Sequence, residues 1–355
     1  MQVSVYQAGD PASLAAAVDM SRTALLAYNA AKAPVHAPKV TVTKSPTLIG
    51  IDDAVYRQID AAVKSDRHIM LYGPPGTGKT ELAREIAVQI SSRGFTLVTG
   101  SADWTSQDLI GGYQPLGEGK ISFLPGIMLE KFDQPFIIDE LNRCDIDKVL
   151  GPMFTVLSKH TTTLPYRVNV ADRDSAHYQI FGTFQPGTTD PKFSPGPQWR
   201  IIATINTIDK ASLYQMSYAL SRRFAWIFVD VPQDINTFLI EYITKRKSKE
   251  ISTQVELPLT RVWRSVNAVR PMGAAPFIDV INHCLAVEKT FDFGTAPTEP
   301  ASQVYLDAFM VNVMPMLDGV LKDEMRNVAT EVAQAIGLAS ATSETLKRQM
   351  SSIGL

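Results

Sequence analysis

A run of eight residues of the type GxxxxGK[ST] constrains this chain more than any other feature. It directly follows the apolar segment HIMLY at residues 68–72, and it leads into the helical pattern TELAREIAVQI. A glycine-rich loop between a strand and a helix can wrap tightly enough for its N–H groups to face phosphate oxygens, and the helix adds its positive amino-terminal dipole. The sequence therefore predicts a phosphate-binding loop in a strand–loop–helix unit.

The predicted nucleotide contacts begin in this loop. Lys79 would reach the β- and γ-phosphates as a mobile point charge, and the Thr80 hydroxyl would ligate Mg²⁺. The full set of candidate contacts in this segment is Gly73, Pro74, Pro75, Gly76, Thr77, Gly78, Lys79, Thr80 and Glu81.

Two carboxylates follow a second apolar run. The residues Phe136-Ile137-Ile138 lead directly into Asp139 and Glu140. Ligands of open α/β sheets bind at the carboxyl ends of the strands, so this pair is placed to serve the phosphate site. Asp139 would hold the Mg²⁺ shell, and Glu140 would orient and polarise the attacking water. The alternative is a strand that ends in a solvated acidic turn.

The chain divides into three parts by pattern. Residues 1–45 contain an alanine-rich helical segment, residues 10–32, and a proline-rich linker. Residues 46–232 alternate short apolar runs with helix-length segments, which is typical of a parallel sheet flanked by helices. Residues 233–355 lose the strand signal and are predicted to be all-helical. The predicted strands are 68–72, 95–99, 135–139, 200–205 and 226–231, and the predicted helices after Pro232 are 233–250, 259–267, 275–290, 302–321 and 323–350.

Composition and residue spacing argue against a nucleic-acid-binding or lipid-binding protein of high charge, a structural metal site and a membrane-spanning segment. Lysine plus arginine total 34 and aspartate plus glutamate 36, so nothing in the overall charge favours nucleic acid or anionic lipid. The two cysteines and five histidines are scattered, without metal-ligand spacing. No stretch approaches about 20 apolar residues, the length that spans a bilayer. We expect a cytoplasmic protein with no membrane contact.

Three further segments carry a family resemblance. Together with the phosphate loop, residues 137–143 (IIDELNR), 201–207 (IIATINT) and 218–224 (YALSRRF) resemble the AAA+ ATPases, and within them the MoxR/McrB-like branch. The resemblance covers roughly residues 46 to 290. It implies a P-loop AAA+ core followed by a helical lid and a carboxyl-terminal helical extension, with ATP or GTP and Mg²⁺ as ligands. It also implies a homo-oligomeric ring, with a hexamer as the expected form.

The resemblance assigns further site residues. Asn206 matches the sensor-1 position, where an amide can hold the lytic water against the γ-phosphate. Arg222 and Arg223 match the arginine-finger region, in which a guanidinium reaches the nucleotide of a neighbouring subunit; Arg223 is slightly favoured, but the sequence does not separate the two. The alternatives are a turn asparagine and a solvated arginine pair.

Two assignments concern the base and the lid. Leu48, Ile49 and Gly50 resemble the short segment that packs on the nucleotide base, with ordinary core packing as the alternative. Arg270 matches the arginine that touches the nucleotide from the lid. This match is looser, because many relatives place that arginine inside the helix, where this chain has alanine, alanine and proline at positions 274–276.

Two insertions also fit the branch. Residues 104–126 resemble the hairpin inserted in the second helix, and residues 159–199 resemble the hairpin before sensor 1. Both project toward a pore or client in the branch, which makes Tyr113, Lys120 and Phe123 candidate client contacts. The alternative is that these loops pack on their own subunit.

Three functions agree with these motifs. The first is an ATP-driven ring that remodels or activates a separate protein client. The second is a McrB-like motor subunit that drives a partner nuclease on DNA, with either ATP or GTP as its nucleotide. The third is a slow nucleotide-dependent assembly switch, against which an intact Glu140, Asn206 and arginine pair argue. The sequence contains no second catalytic constellation, so we expect the client or effector to be a separate subunit and DNA to be reached only through a partner.

Overall fold

A five-stranded parallel sheet forms the centre of the first part of the molecule. The computed structural model describes residues 40–117, 120–207, 216–252 and 254–354, so the predicted helix at residues 10–32 lies outside the described residues. The strands lie in the order β10-β1-β9-β5-β2, and all neighbours are parallel. They are β1 (His68–Gly73), β2 (Thr96–Thr99), β5 (Phe136–Asp139), β9 (Ile201–Asn206) and β10 (Phe224–Phe228).

Four of the five strands lie within one residue of their predicted bounds. The prediction for the last strand, residues 226–231, was wrong by two residues at its start and three at its end. Phe224 pairs with His68 and Phe228 with Tyr72, so β10 begins directly after the arginine pair and ends well before Pro232. The sequence did not reveal this start, because the first strand residue, the buried Phe224, directly follows the charged residues Arg222 and Arg223.

The sheet is buried on both faces, as the apolar runs predict. In β1, Ile69 and Leu71 pack against one layer of helices, while Met70 packs against the other. The first layer consists of α1 (Asp53–Lys64) and α2 (Lys79–Ile90). The second layer contains short helices, namely α3 (Ser106–Leu109), α4 (Ile127–Glu130), α5 (Ile146–Leu150), α6 (Phe154–Leu157) and α7 (Tyr218–Ser221).

Both predicted insertions form β structure. The first is an antiparallel hairpin of β3 (Gly111–Gly117) and β4 (Lys120–Pro125). The second contributes β6 (Thr162–Arg167), β7 (His177–Ile180) and β8 (Lys192–Phe193), with β6 and β7 antiparallel. The two insertions pack together through aromatic rings at centroid distances of 4.6 to 6.2 Å, an aromatic cluster that comprises Tyr113, Phe123, Tyr166, Tyr178 and Phe193.

This cluster corrects two of the candidate client contacts. Phe123 is buried among the other rings, and the Tyr113 hydroxyl donates to the carbonyl of Arg167 at 3.2 Å. Both side chains therefore hold the two insertions to each other, which is the alternative given above. Lys120 is exposed at the start of β4.

The second part of the molecule is helical and has its own apolar core. Its helices are α8 (Ile235–Lys247), α9 (Pro258–Val269), α10 (Ala275–Val287), α11 (Ala301–Asn312), α12 (Lys322–Ala335) and α13 (Ser340–Ile353). In the extension, Tyr305, Leu306, Phe309, Val313 and Leu317 are buried in this core, whereas Val311 and Met316 are exposed. None of the described helices is long and apolar enough to cross a membrane.

Two helix predictions in the extension were wrong. Residues 323–350 form two packed helices, because the chain turns at Gly337 in the left-handed conformation (φ +66°) between them. Residues 302–321 form α11 and a separate 3₁₀ turn at Met314–Leu317, because proline at position 315 cannot supply the N–H that would continue the helix.

Candidate nucleotide-binding and hydrolysis site

The phosphate loop connects β1 to α2 at the carboxyl edge of the sheet. Gly78 precedes α2 in the left-handed conformation (φ +82°), which favours glycine. A Cβ on Gly73 would lie 2.1 Å from the carbonyl oxygen of Val229, directly after the adjacent strand β10. Only glycine therefore lets the loop leave β1 at this point. These two positions explain why the loop needs glycine at its start and at its end.

The Lys79 side chain lies inside this loop. Its Nζ donates to the carbonyl oxygens of Pro74 at 2.6 Å and of Gly73 at 3.1 Å, and the residue is only 5% exposed. Burial lowers the pKa of the Lys79 amine to about 8, against the opposing effect of the Asp139 and Glu140 carboxylates. The amine is therefore held at the loop by weak neutral acceptors, which phosphate oxygens can replace.

The two predicted Mg²⁺ ligands lie together. Thr80 Oγ1 donates to Asp139 Oδ1 at 2.7 Å, and Thr204 Oγ1 donates to the same carboxylate oxygen at 2.6 Å. A hydroxyl and a carboxylate are hard oxygen ligands of the kind that Mg²⁺ takes alongside water and nucleotide phosphates. Within the described residues no cluster of three His, Cys, Asp or Glu side chains could hold a metal by itself. The residues present thus fit a Mg²⁺ ion that shares its shell with a nucleotide.

Glu140 and Asn206 also meet at this edge. The parallel register places Asn206 beside Gly73, and Asn206 Nδ2 donates to Glu140 Oε1 at 3.4 Å. The Glu140 N–H donates to Thr204 Oγ1 at 2.9 Å, and its second carboxylate oxygen forms an ion pair with Arg143 Nε. The structure therefore brings Glu140 and Asn206 together, as the roles predicted for them require.

Sequence reasoning missed two residues of this group. Thr204 contacts the Asp139 carboxylate and the Glu140 N–H, and Arg143 contacts the Glu140 carboxylate. A signal existed for each. Thr204 lies two residues before Asn206 on the same strand and therefore on the same face. Arg143 lies three residues after Glu140, within the segment that carries the resemblance.

The two candidate finger arginines lie at the other end of the strands, where the amino ends of β10 and β1 meet. They precede Phe224, which pairs with the first residue of β1, whereas the phosphate loop follows the last. Five residue steps of strand, roughly 16 Å, separate the two edges. Neither guanidinium can reach the phosphate loop of the same chain across that distance.

The two arginines have different surroundings. Arg223, which the sequence slightly favoured as the finger, is the one that is engaged within the chain. Arg223 Nε donates to the Phe154 carbonyl at 2.9 Å and to Ser158 Oγ at 2.8 Å, and its guanidinium also lies 5.4 Å from the Phe154 ring. Arg223 is thus used for packing within the chain. Arg222 is exposed.

The lid contacts the phosphate loop through its backbone. The Gly273 N–H donates to the Pro75 carbonyl at 2.8 Å, and the Ala275 N–H donates to the Gly76 carbonyl at 3.1 Å. Arg270 instead donates from Nη1 to the Met316 carbonyl at 2.7 Å, within the helical part. The structure therefore does not place the Arg270 guanidinium on the loop. The chain enters α10 through small residues, and their backbone makes the contact.

The remaining candidate contacts lie beside the loop. Leu48 packs on the core near Gly78, Ile49 packs on the lid, and Gly50 adopts φ +80° against Phe238. This segment therefore lies where core and lid meet, as a base-contacting segment requires. Glu81 pairs with Arg84 at 3.1 Å on the exposed side of α2.

Comparison with known proteins agrees with this geometry. Residues 68–224 match the family model of the AAA domain (dynein-related subfamily). The chain is 30% identical over 189 residues to the type IV methyl-directed restriction enzyme EcoKMcrB subunit of Escherichia coli K12, which covers 49% of this chain and 38% of that protein. It is 33% identical over 89 residues to the Holliday junction branch migration complex subunit RuvB of Phytoplasma mali, over 25% of this chain and 26% of that protein.

The chain thus spans well under half the length of either relative. A crystal structure of NtrX from Brucella abortus aligns over 95% of this chain and 75% of its own, with 15% identity and a TM-score of 0.44, which supports no further argument. The family match covers four of the five strands of the sheet, the phosphate loop and the paired carboxylates described above. Residues 68–224 thus form an AAA domain, and the similarity to the McrB subunit supports an AAA+ ATPase of the McrB/MoxR-like type.

Proposed function

We propose that this protein is a Mg²⁺-dependent ATPase that works as one subunit of a homo-oligomeric ring and remodels a separate protein client. The observation that carries the proposal is the division of the site between the two edges of the sheet. The loop, the base and the metal ligands lie at one edge, and the arginine pair lies at the other. A subunit arranged in this way needs a neighbour to complete its site.

In this proposal the residues act as follows. Lys79 leaves the Pro74 and Gly73 carbonyls and pairs with the β- and γ-phosphates. Thr80 and Asp139 would hold Mg²⁺, which would supply positive charge against the phosphates. Asn206 holds the attacking water, and Glu140 accepts its proton.

Arg222 is the arginine that we assign to the neighbouring subunit's nucleotide. Its side chain is exposed, whereas Arg223 is bound to Phe154 and Ser158. The supporting helix α7 is fixed by Ser217, whose hydroxyl and N–H both donate to Asp147, at 2.9 and 3.1 Å. An exposed guanidinium on an anchored turn is suited to reach across a subunit boundary.

A second candidate function is a motor subunit that drives a partner nuclease on DNA, with GTP as its nucleotide. The similarity to the restriction-enzyme subunit, over 49% of this chain, favours it. The same geometry at low turnover would also serve a nucleotide-dependent assembly switch. In all three cases we place the protein in the cytoplasm, where its two buried free cysteines would remain reduced.

The test combines turnover with capture. We expect the wild-type protein to hydrolyse ATP with Mg²⁺, and Glu140→Gln to bind ATP but to hydrolyse it at least about 100-fold more slowly, because the general base is lost. Glu130→Gln removes an exposed carboxylate on α4 and should leave hydrolysis unchanged.

The Glu140→Gln variant, held in ATP or GTP, then serves to capture partners with and without nuclease treatment. A protein retained with ATP and indifferent to nuclease supports the remodelling function. DNA or a nuclease subunit retained with GTP supports the second candidate. Hydrolysis by Glu140→Gln at the wild-type rate would refute the assignment of the base.

A further inference from the structure

We propose that Arg143 is a positioning residue for the base. Its guanidinium holds one oxygen of the Glu140 carboxylate, so that the other oxygen faces the Asn206 amide, where the attacking water is to be bound. This inference rests on the proposed hydrolytic function and adds a residue to which the motifs assign no role.

The backbone brings Arg143 onto Glu140. After β5 ends at Asp139, Glu140 adopts a left-handed conformation (φ +51°) and starts the 3₁₀ turn Leu141–Arg143. The Arg143 N–H donates to the Glu140 carbonyl at 2.9 Å. This turn brings the Arg143 side chain back toward Glu140, and the guanidinium contacts the carboxylate.

The turn itself is fixed in place. Leu141 and Asn142, its two middle residues, are buried. The Cys144 N–H donates to the Leu141 carbonyl at 3.3 Å and closes the turn behind Arg143. Arg143 therefore starts from an anchored backbone, although its own side chain is 61% exposed.

The backbone of Glu140 is held from two sides. Its N–H donates to Thr204 Oγ1 at 2.9 Å, and its carbonyl accepts from the Arg143 N–H at 2.9 Å. With the backbone held at both groups, the position of the carboxylate depends on the side-chain rotamer. Two donors fix that rotamer, the Asn206 amide on Oε1 and the Arg143 Nε on Oε2.

The contact matters for turnover more than for folding. An ion pair at this exposure contributes little to stability, because water and salt screen it. A base must instead lie within hydrogen-bond reach of the proton that it accepts, and a displacement of about 1 Å can cost on the order of 100-fold in rate. Loss of Arg143 frees the Glu140 rotamer without unfolding the turn.

The experiment separates chemistry from binding. We expect Arg143→Ala to lower the single-turnover rate of ATP hydrolysis roughly 10- to 100-fold, to leave the ATP dissociation constant within about twofold, and to leave the unfolding midpoint unchanged. Arg143→Lys should recover only a small part, because an ammonium on a flexible stem lacks the planar geometry of guanidinium. Guanidinium chloride below denaturing concentrations should partly rescue Arg143→Ala, since the position is open to solvent.

The matched control is Arg326→Ala. Arg326 forms the same i, i+3 type of ion pair, with Asp323 at 3.4 Å on α12, and is 62% exposed. This variant should hydrolyse ATP at the wild-type rate. In a Glu140→Gln background, Arg143→Ala should have no further effect on the residual rate, because the group that it positions is already gone.

Three outcomes would overturn the inference: a wild-type single-turnover rate in Arg143→Ala, a loss of ATP affinity as large as the loss of rate, or a further loss of rate in the Glu140→Gln background. Failure of the proposed function is distinguishable from these, because then neither the wild-type protein nor Arg326→Ala would hydrolyse ATP.

Discussion

At the scale of single residues, Thr204 links Asp139 and Glu140, the two acidic residues of the site. Its hydroxyl donates to Asp139 and accepts from the Glu140 N–H, and the residue is buried. Thr204→Val keeps the shape but leaves a buried N–H without its acceptor, so we expect a loss of about 1 to 3 kcal/mol in the free energy of unfolding. We also expect ATP hydrolysis to fall by roughly tenfold or more, since the Asp139 carboxylate and the Glu140 backbone each lose a fixed contact. Denaturant unfolding and steady-state turnover measure the two effects.

The control for this variant is Thr260→Val in the helical part. Thr260 is also buried, and its hydroxyl donates to Asn236 Oδ1 at 2.7 Å. It should lose a similar amount of stability while the folded protein hydrolyses ATP normally. Equal loss of turnover in both variants would mean that Thr204 acts through stability alone.

His68 makes the stability of the protein depend on pH. It is fully buried at the start of β1, its Nδ1 accepts from the Ile201 N–H at 3.0 Å, and burial, together with the nearby Lys159 and Arg200 charges, lowers its pKa from 6.5 to about 3. Because the unfolded chain binds this proton near pH 6.5 and the folded chain does not, stability falls as the pH drops from about 6.5 toward 3. Between pH 8 and 5 the histidine should account for about 2 kcal/mol of lost stability.

Unfolding of His68→Gln across the same pH range tests this expectation. A glutamine side chain can still accept a hydrogen bond but does not titrate, so the variant should lose less stability on acidification than the wild-type protein. Parallel pH profiles for the two proteins would assign the acid sensitivity to other groups.

The sequence identified the residues whose predicted roles follow from their position directly after a strand. The phosphate loop, Asp139 and Glu140 each directly follow an apolar strand, so their position at the sheet edge could be predicted. The choice between Arg222 and Arg223 could not, because it depends on Phe154 and Ser158, which are distant in sequence. The same holds for Arg270, whose partner Met316 belongs to the extension.

At the scale of elements, the entry to α10 connects the lid to the phosphate loop. A Cβ on Gly273 would lie 2.2 Å from the carbonyl carbon of Gly76, so Gly273→Ala must push the lid and the loop apart. We expect a loss of about 1 to 3 kcal/mol in stability and weaker ATP binding, because overpacking displaces backbone on both sides of the contact. Unfolding curves and titration with a fluorescent ATP analogue measure the two quantities.

Gly151→Ala is the control, because a Cβ at position 151 would meet no atom within 4 Å and the residue has helical backbone angles. It should bind ATP normally and keep or slightly raise the stability. Unchanged ATP affinity in Gly273→Ala would show that the lid contact does not communicate with the nucleotide.

Helices and strands could be predicted where a local sequence pattern is compatible with a single type of secondary structure. The short apolar runs gave the parallel sheet, and glycine-rich sequence gave the hairpin of the first insertion. The break between α12 and α13 was missed, because Ile336 and its neighbours keep burying apolar side chains through the turn at Gly337. The packing of the two insertions on each other was also beyond sequence reasoning, since it joins aromatic rings from separate segments.

At the scale of the whole molecule, the position of Arg222 on the far edge of the sheet makes each proposed site depend on two subunits. This dependence can be tested by mixing. Glu140→Gln lacks the base but keeps Arg222, while Arg222→Ala keeps the base. Each variant alone should be nearly inactive in ATP hydrolysis.

In an equimolar mixture, a site is complete when an Arg222→Ala subunit supplies the base and its Glu140→Gln neighbour supplies the arginine. Random assembly produces this pairing at about a quarter of the interfaces, so the mixture should recover roughly a quarter of the wild-type rate if the sites act independently. Arg223→Ala should instead lower stability, through its lost contacts to Phe154 and Ser158. A mixture no more active than the average of its two components would mean that Arg222 serves no neighbouring site. Because the two sheet edges of one subunit are roughly 16 Å apart, that result would remove the arginine from catalysis altogether rather than return it to its own subunit.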